Sequence, residues 1–235
     1  MTKEKFITDT SWIGVVKWGG LSLFVSGVIA LLFFILVIAT KQTLPIPAVE
    51  ALENPLRPCI LFIICIIGEV LLFPGGLALY FSLKHIRKTP MFLATGFWIL
   101  CVPMFLASRG LIFAISQLSD KYLETTSEIL RTSYLATAEL ALETQNFYAM
   151  MGLILLSTAS IIMGSVMLKD KEIFGKSFGY IVIGAGAFTF LGAISVIVEE
   201  VPIIFPVIGV IMTAIWQSFI GINLYKIGNK KPRRN

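Results

Sequence analysis

Residues 59–83 read CILFIICIIGEVLLFPGGLALYFSL, an apolar run of 25 residues that contains a single charged side chain, Glu69. A helix rises about 1.5 Å per residue, so this run is long enough to cross a hydrocarbon core about 30 Å thick. Inside a bilayer the backbone N–H and C=O groups must be satisfied within their own segment. The run therefore predicts a membrane-spanning α-helix.

The rest of the chain repeats this pattern. The 235 residues are 57% hydrophobic and only 14% charged, whereas a soluble domain has about a quarter of charged residues. We predict an all-α fold: one integral membrane domain over residues 1–235, built as a six-helix transmembrane bundle. The predicted spans cover residues 18–40, 59–83, 91–117, 145–168, 178–198 and 201–225. This composition excludes a disordered chain and a secreted disulfide scaffold.

The basic residues predict the orientation. With the N-terminus inside, the inner segments hold 14 Lys and Arg residues and the outer segments hold four. Such a bias places both termini in the cytoplasm, and we expect a multi-pass protein of the cytoplasmic (inner) membrane of a prokaryote. Since orientation accounts for the pI of about 9.1, we do not expect nucleic acid as a partner. The expected partner is the lipid bilayer.

The opposite, outer face is acidic. Its Asp and Glu residues would attract cations to the mouth of a pathway, or they remain simply because Lys and Arg are excluded there. They are Glu50, Glu53, Asp120, Glu124, Glu128, Glu139, Glu143, Glu199 and Glu200. Residues 119–144 have apolar positions at spacings of three and four, which indicates an amphipathic helix. We expect it either to lie on the outer surface or to extend the fourth span outward.

Two charged residues lie inside predicted spans, Glu69 in the second and Arg109 in the third. Both are about 15 Å below the outer surface, near the midplane, so we predict that they pair. Ionisable residues at this depth cost at least about 2.5 kcal/mol and mark functional sites, although a buried pair can also serve only to register helices. Pro74, Gly75 and Gly76 follow Glu69, and they predict a kink or break that would free backbone groups beside the pair.

Other polar residues form a second set of candidates. Gln217, Gln117, Asn146 and Glu143 lie within the spans or at their ends, where side chains of this kind more often bridge helices than bind ligands. The fifth span carries a small-residue face that begins with Gly175-x-x-x-Gly179. This face predicts close packing within the bundle first, and contact with a second copy or another membrane protein second.

Catalytic patterns are nearly missing from the sequence. The single histidine, His85, belongs to a predicted cytoplasmic turn, and Cys59, Cys65 and Cys101 are expected to be small buried hydrophobes. The sequence has no nucleotide-binding glycine loop and no calcium-loop spacing. We therefore expect no enzyme activity, no metal site and no cofactor.

The layout resembles a group of uncharacterised six-span membrane proteins of prokaryotes catalogued as a domain of unknown function. Two motifs carry the resemblance: Leu72-Phe73-Pro74 leading to the basic turn 84–88, and the run 216–221 leading to Lys226-Ile227-Gly228. Gln217 stands where these relatives often have a glutamate, and Glu143-Thr144 stands near their histidine and aspartate. The resemblance implies the fold and the membrane location, and it brings no established activity.

Two functions remain open at this point. The first is a small transporter or an ion-conducting or proton-conducting protein that binds a small solute or cation at Glu69 and Arg109. The second is a non-catalytic accessory or interaction subunit of a membrane complex, with a solute-binding subunit of an importer between the two. A cavity that reaches Glu69 would favour the first function, and a filled bundle would favour the second.

Overall fold

The computed structural model describes residues 12–39, 46–170, 173–195, 198, 202 and 204–229. Within these ranges the chain forms seven α-helices and no strand. They are α1 (Ile13–Ala39), α2 (Ala48–Glu53), α3 (Leu56–Leu83), α4 (Lys88–Glu124), α5 (Glu128–Met167), α6 (Gly175–Ile194) and α7 (Ile204–Gly228). Every helix except α2 is long and apolar enough to cross a membrane. The all-α fold class and the six apolar spans are confirmed.

Several helix bounds differ from the prediction. Helix α6 ends at Ile194, four residues before the predicted end of the fifth span. Hydropathy does not locate this end because apolar residues such as Val198 continue beyond it. Thr40 and Val201, where the first predicted span ends and the sixth begins, lie outside the described residues, as do Glu199 and Glu200.

The segment 119–144 forms a helical hairpin. Helix α4 continues to Glu124, a short turn follows, and α5 begins at Glu128. Residues 128–144 thus extend the fourth span, as one of the two predicted arrangements expected, whereas residues 119–124 extend the third span. The 37 residues of α4 and the 40 residues of α5 span about 55 and 60 Å, which exceeds a hydrocarbon core of about 30 Å. We call this end of the molecule the hairpin end.

The short helix α2 is held between α4 and α5 at the hairpin end. Its Ala51 and Leu52 are buried, and the hydroxyl of Ser119 in α4 donates a hydrogen bond to the carbonyl oxygen of Leu52. Tyr122 and Ala138 belong to the same apolar cluster. Helix α2 thus fixes the position of the hairpin relative to the bundle.

The six long helices close into a ring. Each packs mainly against its neighbours in the chain order α1, α3, α4, α5, α6, α7, and α7 packs back against α1. Small residues allow the close approaches: a Cβ added to Gly20 would lie 2.6 Å from the backbone nitrogen of Tyr225, so α1 and α7 touch at their backbones. Closure of the ring defines an interior that is shared by all six helices.

The small-residue face of α6 is used inside this ring. A Cβ on Gly164 of α5 or on Gly179 of α6 would lie 2.9 Å from the carbonyl oxygen of the other residue. Gly192 of α6 packs in the same way against Pro206 of α7. Glycine at these positions therefore permits contacts between helices of one chain, as the first interpretation of this face expected.

The opposite end of the molecule, which we call the basic end, carries aromatic and cationic side chains. The ring of Trp12 stacks on that of Phe81 at 3.9 Å, and Lys84 Nζ lies 4.5 Å from the centroid of Phe81. Asp170 accepts hydrogen bonds from the backbone N–H groups of Ile173 and Phe174 just before α6 begins. Aromatic and basic residues of this kind are typical of a membrane surface.

Candidate functional site

The charged residues Glu69 and Arg109 form an ion pair between α3 and α4. Arg109 Nη2 lies 2.9 Å and Nε lies 3.0 Å from Glu69 Oε1, so one carboxylate oxygen accepts both donors. Glu69 is at the middle of α3. The pairing predicted from equal depth on neighbouring antiparallel helices is therefore present.

The side chains of the pair are mostly buried. The side chains are only 12% exposed for Glu69 and 16% exposed for Arg109. The guanidinium carbon of Arg109 lies 5.0 Å from the centroid of the Phe62 ring, a distance at which cation and ring attract. Glu69 Oε2 is buried and has no hydrogen-bond partner among the described residues. The pair thus retains one free acceptor.

A cavity of about 190 Å³ lies beside the pair, and all six long helices contribute to its wall. Most of its lining is aliphatic or aromatic, and the polar residues are few. The lining residues are Ser26, Ile29, Ala30, Phe33, Cys65, Gly68, Glu69, Leu72, Phe105, Arg109, Leu153, Leu156, Thr189, Val210, Thr213 and Gln217. The interior of the ring therefore has room for a small molecule or several waters, since one water needs about 30 Å³.

A second group of polar side chains lines the cavity from α6 and α7. The hydroxyl oxygens of Thr189 and Thr213 lie 3.2 Å apart and share a hydrogen bond, and Gln217 is 3% exposed. Ser26 of α1 also lines the cavity. Gln217 was a predicted candidate, whereas the three hydroxyl residues were not predicted from the sequence. Their signal is weak because Ser and Thr in helices often bond a carbonyl of their own helix, as Ser160 does with Leu156.

The other secondary candidates lie elsewhere. Gln117 and Glu143 are exposed and Asn146 is half-buried, and none of the three lines the cavity. Cys65 is buried as predicted, and it also forms part of the cavity wall. Within the described part of the chain, no group of three or more His, Cys, Asp or Glu residues is arranged to hold a metal ion.

The prediction at Pro74, Gly75 and Gly76 was a kink or a break, and the break is wrong. Helix α3 continues through all three residues, and none of them lines the cavity. The two glycines provide space for neighbouring side chains: a Cβ on Gly75 would lie 3.0 Å from Leu23 Cδ1, and a Cβ on Gly76 would overlap the indole of Trp98. Packing by α1 and α4 holds the helix together, which is how membrane helices tolerate proline.

Trp98 of α4 lies on the basic-end side of Arg109. Its Nε1–H donates a 2.7 Å hydrogen bond to the carbonyl oxygen of Leu72, a lining residue that lies one helical turn from Glu69. The Trp216 ring meets the Trp98 ring edge to face at 5.7 Å. Both indoles are almost fully buried in the apolar cluster that fills this part of the ring. Side chains thus fill the interior of the ring toward the basic end, and the cavity remains beside the ion pair.

No protein-family model, curated protein or solved structure matches this chain. The chemistry of the site must therefore be inferred from its geometry: a neutral ion pair, one free carboxylate oxygen and a small apolar chamber within a ring of six helices.

Proposed function

We propose that the protein is a small membrane transporter or an ion-conducting or proton-conducting protein whose site is the cavity beside Glu69 and Arg109. The observation that carries the proposal is the cavity itself, because all six long helices line it and the charged pair lies in its wall. An ion pair that only joins two helices does not require a cavity beside it. Solute binding does require such a cavity.

The free carboxylate oxygen supports this proposal. A buried acceptor without a partner costs stability, and the cost is larger when the group is charged. Arg109 occupies Glu69 Oε1 and leaves Oε2 without a partner among the described residues. In the proposed mechanism the carboxylate turns toward the cavity, where Oε2 would bind a proton, an ion or the donor group of a solute. Ionisable residues within membrane segments are functional candidates by default for the same reason.

Access to the site would alternate between the two ends. In the mechanism we propose, the site binds its proton, ion or solute from the hairpin end, where the exposed Asp120, Glu124, Glu128, Glu139 and Glu143 would concentrate cations. The packed Trp98 and Trp216 would then have to separate before release at the basic end. With both termini cytoplasmic, this direction leads inward.

The proposal is tested by proton and cation flux in reconstituted vesicles. An imposed pH gradient and a pH-sensitive dye in the lumen report proton flux for the native chain, for Glu69→Gln and for Gly110→Ala. Gly110 is exposed, and a Cβ there meets no atom within 4 Å, so this variant is the matched control on α4. We expect native flux that Gly110→Ala keeps and Glu69→Gln loses. Vesicles that never exceed protein-free vesicles would contradict the proposal.

One observation favours the second candidate, an accessory or interaction subunit. The hairpin presents apolar side chains on its outside: Ile129 is 84% exposed, Leu140 is 69% exposed and Leu130 is 49% exposed. A partner membrane protein would cover them. This candidate predicts that one defined protein co-purifies with the native chain in mild detergent, and that the double substitution Ile129→Asn and Leu140→Asn releases it while the fold is kept.

A further inference from the structure

We propose that the cavity takes a small, uncharged and mostly apolar solute that carries at least one hydrogen-bond donor group. This inference rests on the transporter form of the proposed function, with a proton at Glu69 as the coupled ion, and it names the solute class of that same site. It follows from three properties of the cavity, which are its charge, its free acceptor and its size.

The charge of the cavity excludes ionic solutes. Glu69 and Arg109 neutralise each other at 2.9 Å, and no other charged residue among those described lines the cavity. A cationic or anionic solute would therefore leave one uncompensated charge in a low-dielectric site within the bundle. An uncharged solute avoids this cost.

The free acceptor selects a donor group. Glu69 Oε2 is buried and has no partner among the described residues. Oε2 is fully buried in this conformation, so a hydroxyl or an N–H group on the solute would satisfy it after the carboxylate turns toward the cavity, whereas a hydrocarbon would leave it without a partner. Gln217 and the pair Thr189 and Thr213 line the α6 and α7 side of the cavity, where they offer hydrogen bonds to a second polar group.

The remaining wall and the volume define the body of the solute. Ile29, Phe33, Leu72, Phe105, Leu153 and Val210 present apolar surface to the cavity. An apolar cavity of about 150 Å³ binds benzene, so the 190 Å³ found here fits a molecule of about one substituted ring. The substrate class is therefore a small alcohol, phenol or amide with an apolar body.

Cys65 reports on the solutes that reach the site. It lines the cavity, whereas Cys59 and Cys101 do not, so a chain with Cys59→Ala and Cys101→Ala keeps one reporter thiol. Three methanethiosulfonates would be compared: the neutral methyl reagent, the cationic trimethylammonium-ethyl reagent and the anionic sulfonatoethyl reagent. Rates are normalised to Ser133→Cys, an exposed position on the hairpin, in a chain without other cysteines. We expect the neutral reagent to be preferred at Cys65 by at least about tenfold.

A preference for the neutral reagent could arise from the charge of the cavity or from entry of that reagent through lipid. Charge variants distinguish these two causes. Glu69→Gln leaves Arg109 as an unpaired cation, so the anionic reagent should gain relative to the cationic one. Arg109→Gln should produce the reverse order. Thermal melting in detergent verifies that each variant is folded, and Gly110→Ala should behave like the native chain. An order that does not change with these substitutions overturns the inference.

The donor group is tested by protection of Cys65 from the methyl reagent. The chain keeps both Glu69 and Arg109, so no charge variant is required. Benzyl alcohol, toluene and benzylammonium have similar bodies, and each would be added before the methyl reagent. We expect benzyl alcohol to slow modification of Cys65 more than either of the others. Equal protection by toluene would overturn the donor requirement, and better protection by benzylammonium would overturn the requirement for an uncharged solute.

The outcomes distinguish the two levels of the proposal. If no reagent modifies Cys65 in the folded protein, the substrate class is overturned, and the proposed function is then decided by the flux measurement in vesicles. If the charged reagents reach Cys65 as readily as they reach the hairpin cysteine, the cavity is accessible as the proposed function requires, while the uncharged substrate class is overturned.

Discussion

Glu69 and Arg109 illustrate how much a single pair of residues determines in an apolar interior. The two donors of Arg109 converge on one oxygen of Glu69, and the ring of Phe62 covers the guanidinium group. This arrangement fixes the register of α3 against α4 and leaves the second carboxylate oxygen free. The same two residues thus join the two helices and line the cavity.

Removal of both partners should cost less than the two single removals added together. We expect Glu69→Gln to lower the free energy of unfolding by about 3 kcal/mol, because Arg109 would remain buried without its counter-charge. The double variant Glu69→Gln and Arg109→Gln should lose less than the sum of the single losses, with a coupling of about 1 kcal/mol or more. Unfolding in mixed micelles measures all four corners of this cycle, and additive losses would show that the pair does not interact.

The sequence predicted this pair because depth along a straight helix is simple arithmetic. It did not predict Ser26, Thr189 and Thr213, because the sequence does not show whether a hydroxyl faces its own helix, lipid or the interior. Rotation of a helix about its axis is set by packing against neighbours. Only contacts between helices show that these three side chains reach the cavity.

The helices show a different limit of sequence reasoning. Proline and two glycines in series predicted a kink or a break in α3, and the helix has no break between Leu56 and Leu83. The glycines are explained by their neighbours: Gly75 accommodates Leu23 of α1, and Gly76 accommodates Trp98 of α4. A motif that weakens an isolated helix therefore strengthens a bundle, because it allows large side chains to approach the backbone.

A methyl group at Gly76 should disrupt the contact between α3 and α4. A Cβ there would overlap the indole of Trp98, so we expect Gly76→Ala to lower the free energy of unfolding by about 1–3 kcal/mol. Gly96→Ala is the matched control on α4, because its Cβ meets no atom within 4 Å and alanine favours helix by up to about 1 kcal/mol. Thermal melting in detergent compares the two variants. Equal melting temperatures would show that Gly76 is not a packing position.

At the scale of the whole molecule, the closed ring of helices is the feature that the sequence did not predict. Hydropathy predicted six spans. Because successive spans cross the membrane in opposite directions, neighbours in the sequence were predicted to be antiparallel. Neither property determines that α7 returns to α1, because ring closure depends on backbone contacts such as that between Gly20 and Tyr225. The cavity is a consequence of this closure.

The charge distribution predicts how the ring is oriented. Lys and Arg are concentrated at the basic end, so the hairpin should face outward and both termini inward. In a chain without native cysteines, Ser133→Cys on the hairpin should react with a membrane-impermeant maleimide on intact cells, and His85→Cys at the basic end should react only after detergent is added. Both positions are exposed. Labelling in the opposite order would reverse the orientation.

The central claim is that the cavity beside Glu69 and Arg109 is the pathway. Ala30 lines this cavity on α1, whereas Ala107 is exposed on the outside of α4, so phenylalanine fills the chamber at the first position and contacts only the surroundings at the second. The most direct measurement is proton flux in reconstituted vesicles for the native chain, Ala30→Phe and Ala107→Phe, with folding of each verified by thermal melting. We predict that Ala30→Phe abolishes the flux and Ala107→Phe preserves it. Equal flux in the two variants, or no flux above protein-free vesicles in the native chain, would contradict the account.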